Sequence, residues 1–460
     1  MRDDPFNAPR LCRVVAFVLV FVLLGGSALA TGPTRQQHYL PLVGTGGSRG
    51  IFGLELTRIE PSRGLDGVVA LAPGWVRRGA LSWSEVEPTP GTLRWDTPAI
   101  QALDAELMTA TRLGLRVVLV IHGSPAWAVA PYRANCAPIA PEHFQAFASF
   151  VQQAVARYSA PPYNVRYWEI GNEPDAFVFD ADAPFGCWGQ KGETFYGGEA
   201  FGELLKVVYP AVKRANPSAQ VIHGGLLLDR PYDPVTGEGQ EARFIEGVLE
   251  AGAGDSFDIL AYHSYSYYNG NPDGTLSTQD WKPGYLRGIL ARYGLEKPLF
   301  NTESALLCLE PSDACAQAQA DAMGRLYVRA LRDGIMGYIW YVYDSDSFRS
   351  TALVEPDQPT VRRPAFYAFA QARAALDDHR YHAAISGLPD GVEAHQLIAG
   401  SRTTIVLWAN QATKVRLELG TAQELRCTEA DSTPIACASD GSTLELTALP
   451  GPRYVNFRTP

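Results

Sequence analysis

The feature that most constrains this chain is an alternation. Between about residue 50 and residue 378, short apolar runs occur at 51–56, 74–79, 116–121, 165–170, 220–224, 257–262, 298–302 and 337–341. Longer stretches that repeat their apolar residues at helical spacing lie between them. Residues 201–215 (FGELLKVVYPAVKRA) place apolar side chains three and four apart. Residues 316–333 do the same, and Gly334 follows where a helix C-terminus favours glycine. Strand and helix repeated eight times is the pattern of a (β/α)8 TIM barrel. A doubly wound sheet is the competing α/β arrangement, but no G-x-G-x-x-G opens any of the helical stretches. The alternation therefore predicts a barrel within residues 31–378.

After Leu376 the texture changes. Strand-like runs at 392–397, 403–408, 415–419, 443–446 and 453–457 follow one another closely, without a helix-length periodic segment. Turn signals separate them, among them Pro389-Asp390-Gly391, Asp440-Gly441 and Pro450-Gly451-Pro452. Residues 379–460 read as a C-terminal β-sandwich.

The N-terminus sets the expected compartment. Arg2, Arg10 and Arg13 precede an apolar stretch at 14–24, and Ala28-Leu29-Ala30 supplies a small-x-small end. That is the pattern of a secretory signal peptide over residues 1–30, cleaved after Ala30. The stretch is shorter than the roughly 20 residues a membrane span needs, so a secreted protein without a stable span is expected. Of the seven cysteines, Cys12 falls in this leader and six remain. Proximity along the chain and between neighbouring loops pairs Cys308 with Cys315, Cys427 with Cys437, and Cys136 with Cys187. The formal charge of −10 argues against nucleic acid as a partner.

Two acidic segments carry the chemistry. Tyr167-Trp168-Glu169-Ile170-Gly171-Asn172-Glu173-Pro174-Asp175 closes the fourth strand run, and Asn301-Thr302-Glu303-Ser304 closes the seventh. In a barrel, functional side chains project from the C-terminal ends of strands. Glu173 and Glu303 would thus face one cleft, one attacking the anomeric carbon and the other protonating the leaving oxygen of a glycoside. Each glutamate alone could equally be a helix N-terminal acid, stabilised by the dipole. The pair, on strands four and seven, is what singles out a retaining glycosidase.

Residues 168–174 (WEIGNEP) resemble the acid/base signature of glycoside hydrolase clan A, and residues 301–304 resemble its nucleophile strand. Further landmarks are Trp83-Ser84-Glu85-Val86-Glu87-Pro88, Ser124-Pro125-Ala126-Trp127-Ala128, Trp340, and Arg363-Pro364-Ala365-Phe366-Tyr367-Ala368. The set is most similar to glycoside hydrolase family 39 and its relatives, which join such a barrel to a β-sandwich. The resemblance spans about residues 50 to 460 and implies Glu173 as acid/base, Glu303 as nucleophile and Asn172 as the residue holding the sugar 2-hydroxyl. Xylosides, glucosides and uronides all fit the family.

Other residues take roles around that pair. Tyr265 is expected to donate a hydrogen bond to an ionised Glu303, while His263 reads either as a member of the site or as a structural histidine. His122 follows strand three and is a site candidate by position. Glu169 is expected to point into the barrel core, where Arg77 or Arg78 would supply its cation. Aromatic residues near strand ends, Trp127, Trp168, Trp188, Tyr265 and Trp340, are candidates to pack against sugar faces. Core packing is the competing reading for each tryptophan, and for Trp340 the resemblance favours the sugar. The scattered histidines give no metal-binding cluster, and no cofactor is expected. A sugar-binding protein without turnover and a transglycosylase on the same scaffold are the alternative functions. The substrate expected is an oligo- or polysaccharide; the oligomeric state is open.

Overall fold

Eight parallel strands close into a barrel in chain order: β1 (Phe52–Glu55), β2 (Trp75–Ser82), β3 (Arg116–His122), β4 (Tyr167–Asn172), β5 (Gln220–Leu226), β6 (Ile259–Tyr268), β7 (Leu299–Cys308) and β8 (Tyr338–Trp340). The circle shuts where β1 pairs with β8 through Phe52↔Tyr338 and Leu54↔Trp340. The computed structural model describes residues 50–459 apart from 130–137, 177–186, 190–191, 271–276 and 346–347. The leader reading at 1–30 and Cys136 lie outside the described residues.

Each strand is flanked by a helix that buries one stripe against it, as with Phe201, Leu204, Leu205, Val208 and Val212 of helix Gly198–Ala215. Inside the barrel, Trp75, Val118, Ile222, Ile259, Phe300 and Ile339 form an apolar plug. Two residues beyond Trp75 and Phe300, and beyond the Tyr167 that packs against the plug, the interior turns polar, with Arg77, Thr302 and Glu169 all buried. The period-two alternation of a strand thus carries the barrel from a dry floor to a charged upper layer.

Strands β6 and β7 outrun the sequence expectation. They remain paired from Leu260↔Leu299 to Tyr268↔Cys308, across a register shift between Tyr262 and His263. The apolar run in β6 ends near Tyr262, but His263-Ser264-Tyr265-Ser266-Tyr267-Tyr268 continues a two-residue alternation that a strand accommodates. Glu303, His263 and Tyr265 consequently sit on rigid strand rather than in loops. The predicted disulfide Cys308–Cys315 ties the end of β7 to the helix Asp313–Arg332.

The C-terminal strands form two antiparallel sheets. Six strands run in the order Arg380–Ala384, Val392–Ala399, Arg402–Ala409, Arg453–Arg458, Gln423–Thr428 and Pro434–Ile435. The second sheet holds Thr413–Glu418, Thr443–Ala448 and Ala438–Ser439. The sandwich core contains Leu407, Val415, Leu417, Leu444 and Val455, and Cys427 pairs with Cys437 as predicted. The outer face of the larger sheet packs on the barrel's last helices: the guanidinium groups of Arg325 and Arg329 lie 5.7 and 5.8 Å from the Trp408 ring. Gln371 also bonds Thr428 at 2.7 Å.

Candidate active site

The WEIGNEP segment ends its strand in a tight backbone arrangement. Gly171 and Glu173 both have positive φ, 81° and 45°. For glycine that costs nothing, whereas a glutamate there is in a sparsely populated conformation that its surroundings must hold. They do so through three bonds: the Glu173 N–H donates to Gly225 O at 2.9 Å, and the buried Asp175 accepts the amides of Leu227 and Leu228 at 2.8 and 2.9 Å. The β4 end is therefore pinned to β5, and the Glu173 side chain projects into the barrel mouth.

There it meets the β6–β7 pair. His263 and Glu303 face each other in register. His263 Nδ1 lies 2.8 Å from Glu173 Oε1 and 3.6 Å from Glu303 Oε2. Oxygen atoms of the two glutamates and a nitrogen of His263 all fall within 4.8 Å of one another. Tyr265 donates its hydroxyl to Glu303 Oε2, and Arg77 donates to Glu303 Oε1. The same guanidinium donates from Nε to Glu169 Oε2 at 2.7 Å, from Nη1 to Glu55 Oε2 at 2.7 Å, and from Nη2 to Asn172 Oδ1 at 2.6 Å. Arg77 is thus the hub, and the sequence alternative between two arginines resolves in its favour. Arg78 instead pairs with Glu106, at 2.6 and 3.1 Å. Because arginine only donates, Asn172 must turn its oxygen to Arg77 and its NH2 group away.

The electrostatics follow from this packing. Burial alone would raise the Glu303 pKa, but His263, Arg77 and the Tyr265 hydroxyl outweigh it and hold the carboxyl below its ordinary value. Burial alone would depress His263; the adjacent Glu303 and Glu173 overcome it and raise the imidazole above 6.5. Burial pushes the Tyr265 phenol well up, and Glu303 adds to that, so it stays a donor. Burial likewise lifts Glu55, to about 7, against the pull of Arg77. The result is a Glu303 carboxyl held toward its ionised form, beside a Glu173 whose Oε1 is in contact with His263 Nδ1.

The other predicted residues occupy different places. His122 is half-buried at the end of β3 with Nε2 3.2 Å from Gly79 O, and burial lowers its pKa, leaving a neutral ring at the rim. Trp127 donates Nε1 to Glu87 O at 3.1 Å and packs edge-on against Trp83 and His143, each 5.1 Å away. Trp340 is fully buried, with Nε1 donating to Thr351 O at 2.9 Å, so it presents no solvent-exposed face. Trp168 and Trp188 are buried as well. The tryptophan surplus mostly packs core. The rings gathered at the mouth are Tyr265, Tyr341 and Phe348, with centroids 5.5 to 6.2 Å apart.

Two members of the site went unread in the sequence. Glu55 sits on β1 opposite Arg77 in register, and a short apolar run ending in one acid gives little signal. Gly225 is the second. A Cβ there would stand 2.2 Å from His263 Nε2 and 2.7 Å from Thr302 Oγ1, so only glycine admits the imidazole. The tandem glycines at the end of the β5 run were the available hint.

No protein-family model and no curated protein sequence matches the chain. Solved structures do resemble it. A family 39 glycoside hydrolase from the gut symbiont Bacteroides cellulosilyticus is 19% identical with a TM-score of 0.68, over 89% of this chain and 81% of that one. The likeness is one of fold. A family 30 endoxylanase from Clostridium papyrosolvens is 13% identical at TM-score 0.61, over 90% of this chain and 98% of that one. A monomeric β-xylosidase from Caulobacter crescentus is 15% identical at TM-score 0.58, over 89% and 96%. The resemblance to glycoside hydrolases that the two glutamate motifs carry thus extends to the whole architecture.

Proposed function

We propose that the protein is a secreted, retaining glycoside hydrolase that cleaves O-glycosidic bonds through a covalent intermediate. The observation that carries this reading is the separation of the two glutamates. Their oxygens lie within 4.8 Å. Retaining enzymes hold their carboxyl groups about 5–5.5 Å apart, and inverting enzymes leave about 6.5–9.5 Å for a water. Glu173 protonates the leaving oxygen as a Glu303 oxygen bonds to the anomeric carbon and the C–O bond breaks. Glu173, now a carboxylate, takes a proton from water as that water displaces Glu303. The asymmetry of surroundings supports this division: Glu303 is saturated with donors from Arg77 and Tyr265, whereas Glu173 is held by His263 and is the more exposed of the two. Glu173, His263 and Glu303 also fall within reach of a single cation, but the positive charge of Arg77, already paired with Glu303, opposes a metal there. The neighbours named as glycoside hydrolase, endoxylanase and xylosidase lend the substrate class. Secretion is supported by the disulfides Cys308–Cys315 and Cys427–Cys437 and by the leader pattern. Cys187 is disulfide-bonded too.

The test is hydrolysis of aryl glycosides with the first-formed anomer followed by NMR. Retention is expected, and an inverted first product rules out the covalent route. Glu303→Ala is expected to lose at least about 10⁴-fold in kcat on every substrate. Glu173→Ala keeps measurable activity on aryl glycosides whose leaving group needs no proton. Equal losses for both variants on such substrates would refute the assigned roles.

A further inference from the structure

Glu55 is not used by the double displacement, yet it stands against the nucleophile. Arg77 Nη1 donates to Glu55 Oε2 at 2.7 Å and to Glu303 Oε1, so two carboxylates share one nitrogen. The Glu55 side chain is 13% exposed, against 2% for Arg77, and it opens toward the barrel mouth at the end of β1. Its other oxygen, Oε1, accepts no hydrogen bond among the described residues. Both oxygens of Glu303, by contrast, are engaged, Oε1 by Arg77 and Oε2 by Tyr265.

The cations of the site are committed in the same way. Four of the five N–H groups of Arg77 go to Glu55, Glu169, Glu303 and Asn172. His263 gives its Nδ1 to the two carboxylates, and its Nε2 abuts Gly225. The buried Lys282 donates to the carbonyls of Leu227 and His263 at 3.0 and 2.8 Å. Arg78 is taken by Glu106. A sugar seated on Glu303 therefore finds, on its β1 side, an acceptor open to it and a cation already shared among carboxylates. A hydroxyl satisfies that arrangement. A sugar carboxylate would add a like charge beside Glu55 and Glu303, where the nearest cations, Arg77 and His263, already serve three and two carboxylates.

We infer that Glu55 is a substrate-contacting specificity residue: its Oε1 accepts a hydrogen bond from a hydroxyl of an uncharged sugar seated on Glu303, and the site takes neutral glycosides in preference to uronides. The inference rests on the glycosidase reading and narrows its substrate class.

The wild-type protein is assayed above about pH 7, where Glu55 is ionised, on 4-nitrophenyl β-xyloside, β-glucoside and β-glucuronide. The better neutral substrate is expected to exceed the glucuronide about 100-fold or more in kcat/KM. Glu55→Gln keeps the shape and removes the charge, and is expected to narrow that ratio about tenfold. Glu55→Ala is expected to raise KM for the neutral substrate about tenfold with a smaller change in kcat. Glucuronide hydrolysis equal to or faster than the neutral substrates overturns the inference and leaves the glycosidase reading standing. An unchanged ratio in a cooperatively melting Glu55→Gln overturns the role of Glu55. Should that variant not fold, Glu55→Asp, which keeps the charge and withdraws the oxygen, replaces it; unaltered KM and ratio there count equally against the residue. No hydrolysis of any glycoside by the wild type removes the parent reading itself.

Discussion

His263 Nδ1 meets Glu173 Oε1 at 2.8 Å, from a ring with no solvent exposure of its own. Burial ordinarily lowers a histidine's pKa, and here the carboxylates on either side outweigh it and raise the imidazole above 6.5. His263→Ala should therefore do two things. Activity should fall about 10²- to 10³-fold, because Glu173 loses the donor that orients it. Stability should change with pH in a defined direction. The folded pKa is raised, so the stabilising contribution is complete below the unfolded value of 6.5 and is lost as pH rises through the higher folded value. Urea denaturation of wild type and variant across this range should show a difference that shrinks above pH 6.5. A difference that does not vary with pH would mean the ring is neutral in the fold.

Arg77 holds three carboxylates and an amide from a position 2% exposed. Removing one partner of a buried ion pair costs about 3–5 kcal/mol, since the charge left behind has no water to turn to. Arg77→Met should fall in that range, because Glu169, fully buried, loses the only cation paired with it among the described residues. Arg77→Lys keeps the charge without the fork and should cost about half as much. Denaturant midpoints with unchanged m-values decide the matter. A loss below about 1 kcal/mol for Arg77→Met would show that the carboxylates are protonated in the native protein.

The barrel was legible because helical and strand periodicities alternate so regularly, and all eight strands lie where the apolar runs do. What escaped was pairing that apolar content does not mark. The sixth apolar run stops at Tyr262 and the seventh at Thr302, yet backbone pairing carries β6 and β7 six residues further, to Tyr268 and Cys308. Of the site, the two glutamates were readable because motif and strand end coincide, and Tyr265 because it follows closely on the sixth apolar run. Glu55 and Gly225 were not, since their roles depend on which residues the closed barrel sets opposite them. The tryptophans show the converse. Their placement near strand ends suggested sugar contact, but Trp168 and Trp340 fill core, where a large ring buries the most apolar area.

Glu55 should also leave a mark on stability. Burial raises its carboxyl from 4.5 to about 7, so between those values the folded protein holds a proton that the unfolded chain has released. Stability contributed by that proton is present below 4.5, declines as pH rises through the window and levels off above about 7. Glu55→Gln carries no titrating group. The stability difference between wild type and variant should therefore fall by about 1–3 kcal/mol across the window. A flat difference would place the Glu55 titration at its ordinary value.

Gly225 offers a test of how closely the site is packed. Its amide donates to Glu169 Oε1 at 3.0 Å, its carbonyl accepts from Glu173, and its Cα faces His263 Nε2. A methyl group at 2.2 Å from that nitrogen must push either the ring or the strand. Overfilling a packed interior costs about 1–3 kcal/mol. Because His263 touches Glu173, a shift of about 1 Å should also lower kcat about 10²-fold. Gly79→Ala is the matched control, since nothing lies within 4 Å of a Cβ at that strand position. It should leave activity unchanged and stability within about 0.5 kcal/mol. Gly225→Ala with wild-type kcat would mean that the imidazole can retreat without disturbing Glu173, and the positioning role given to His263 would then have to be withdrawn.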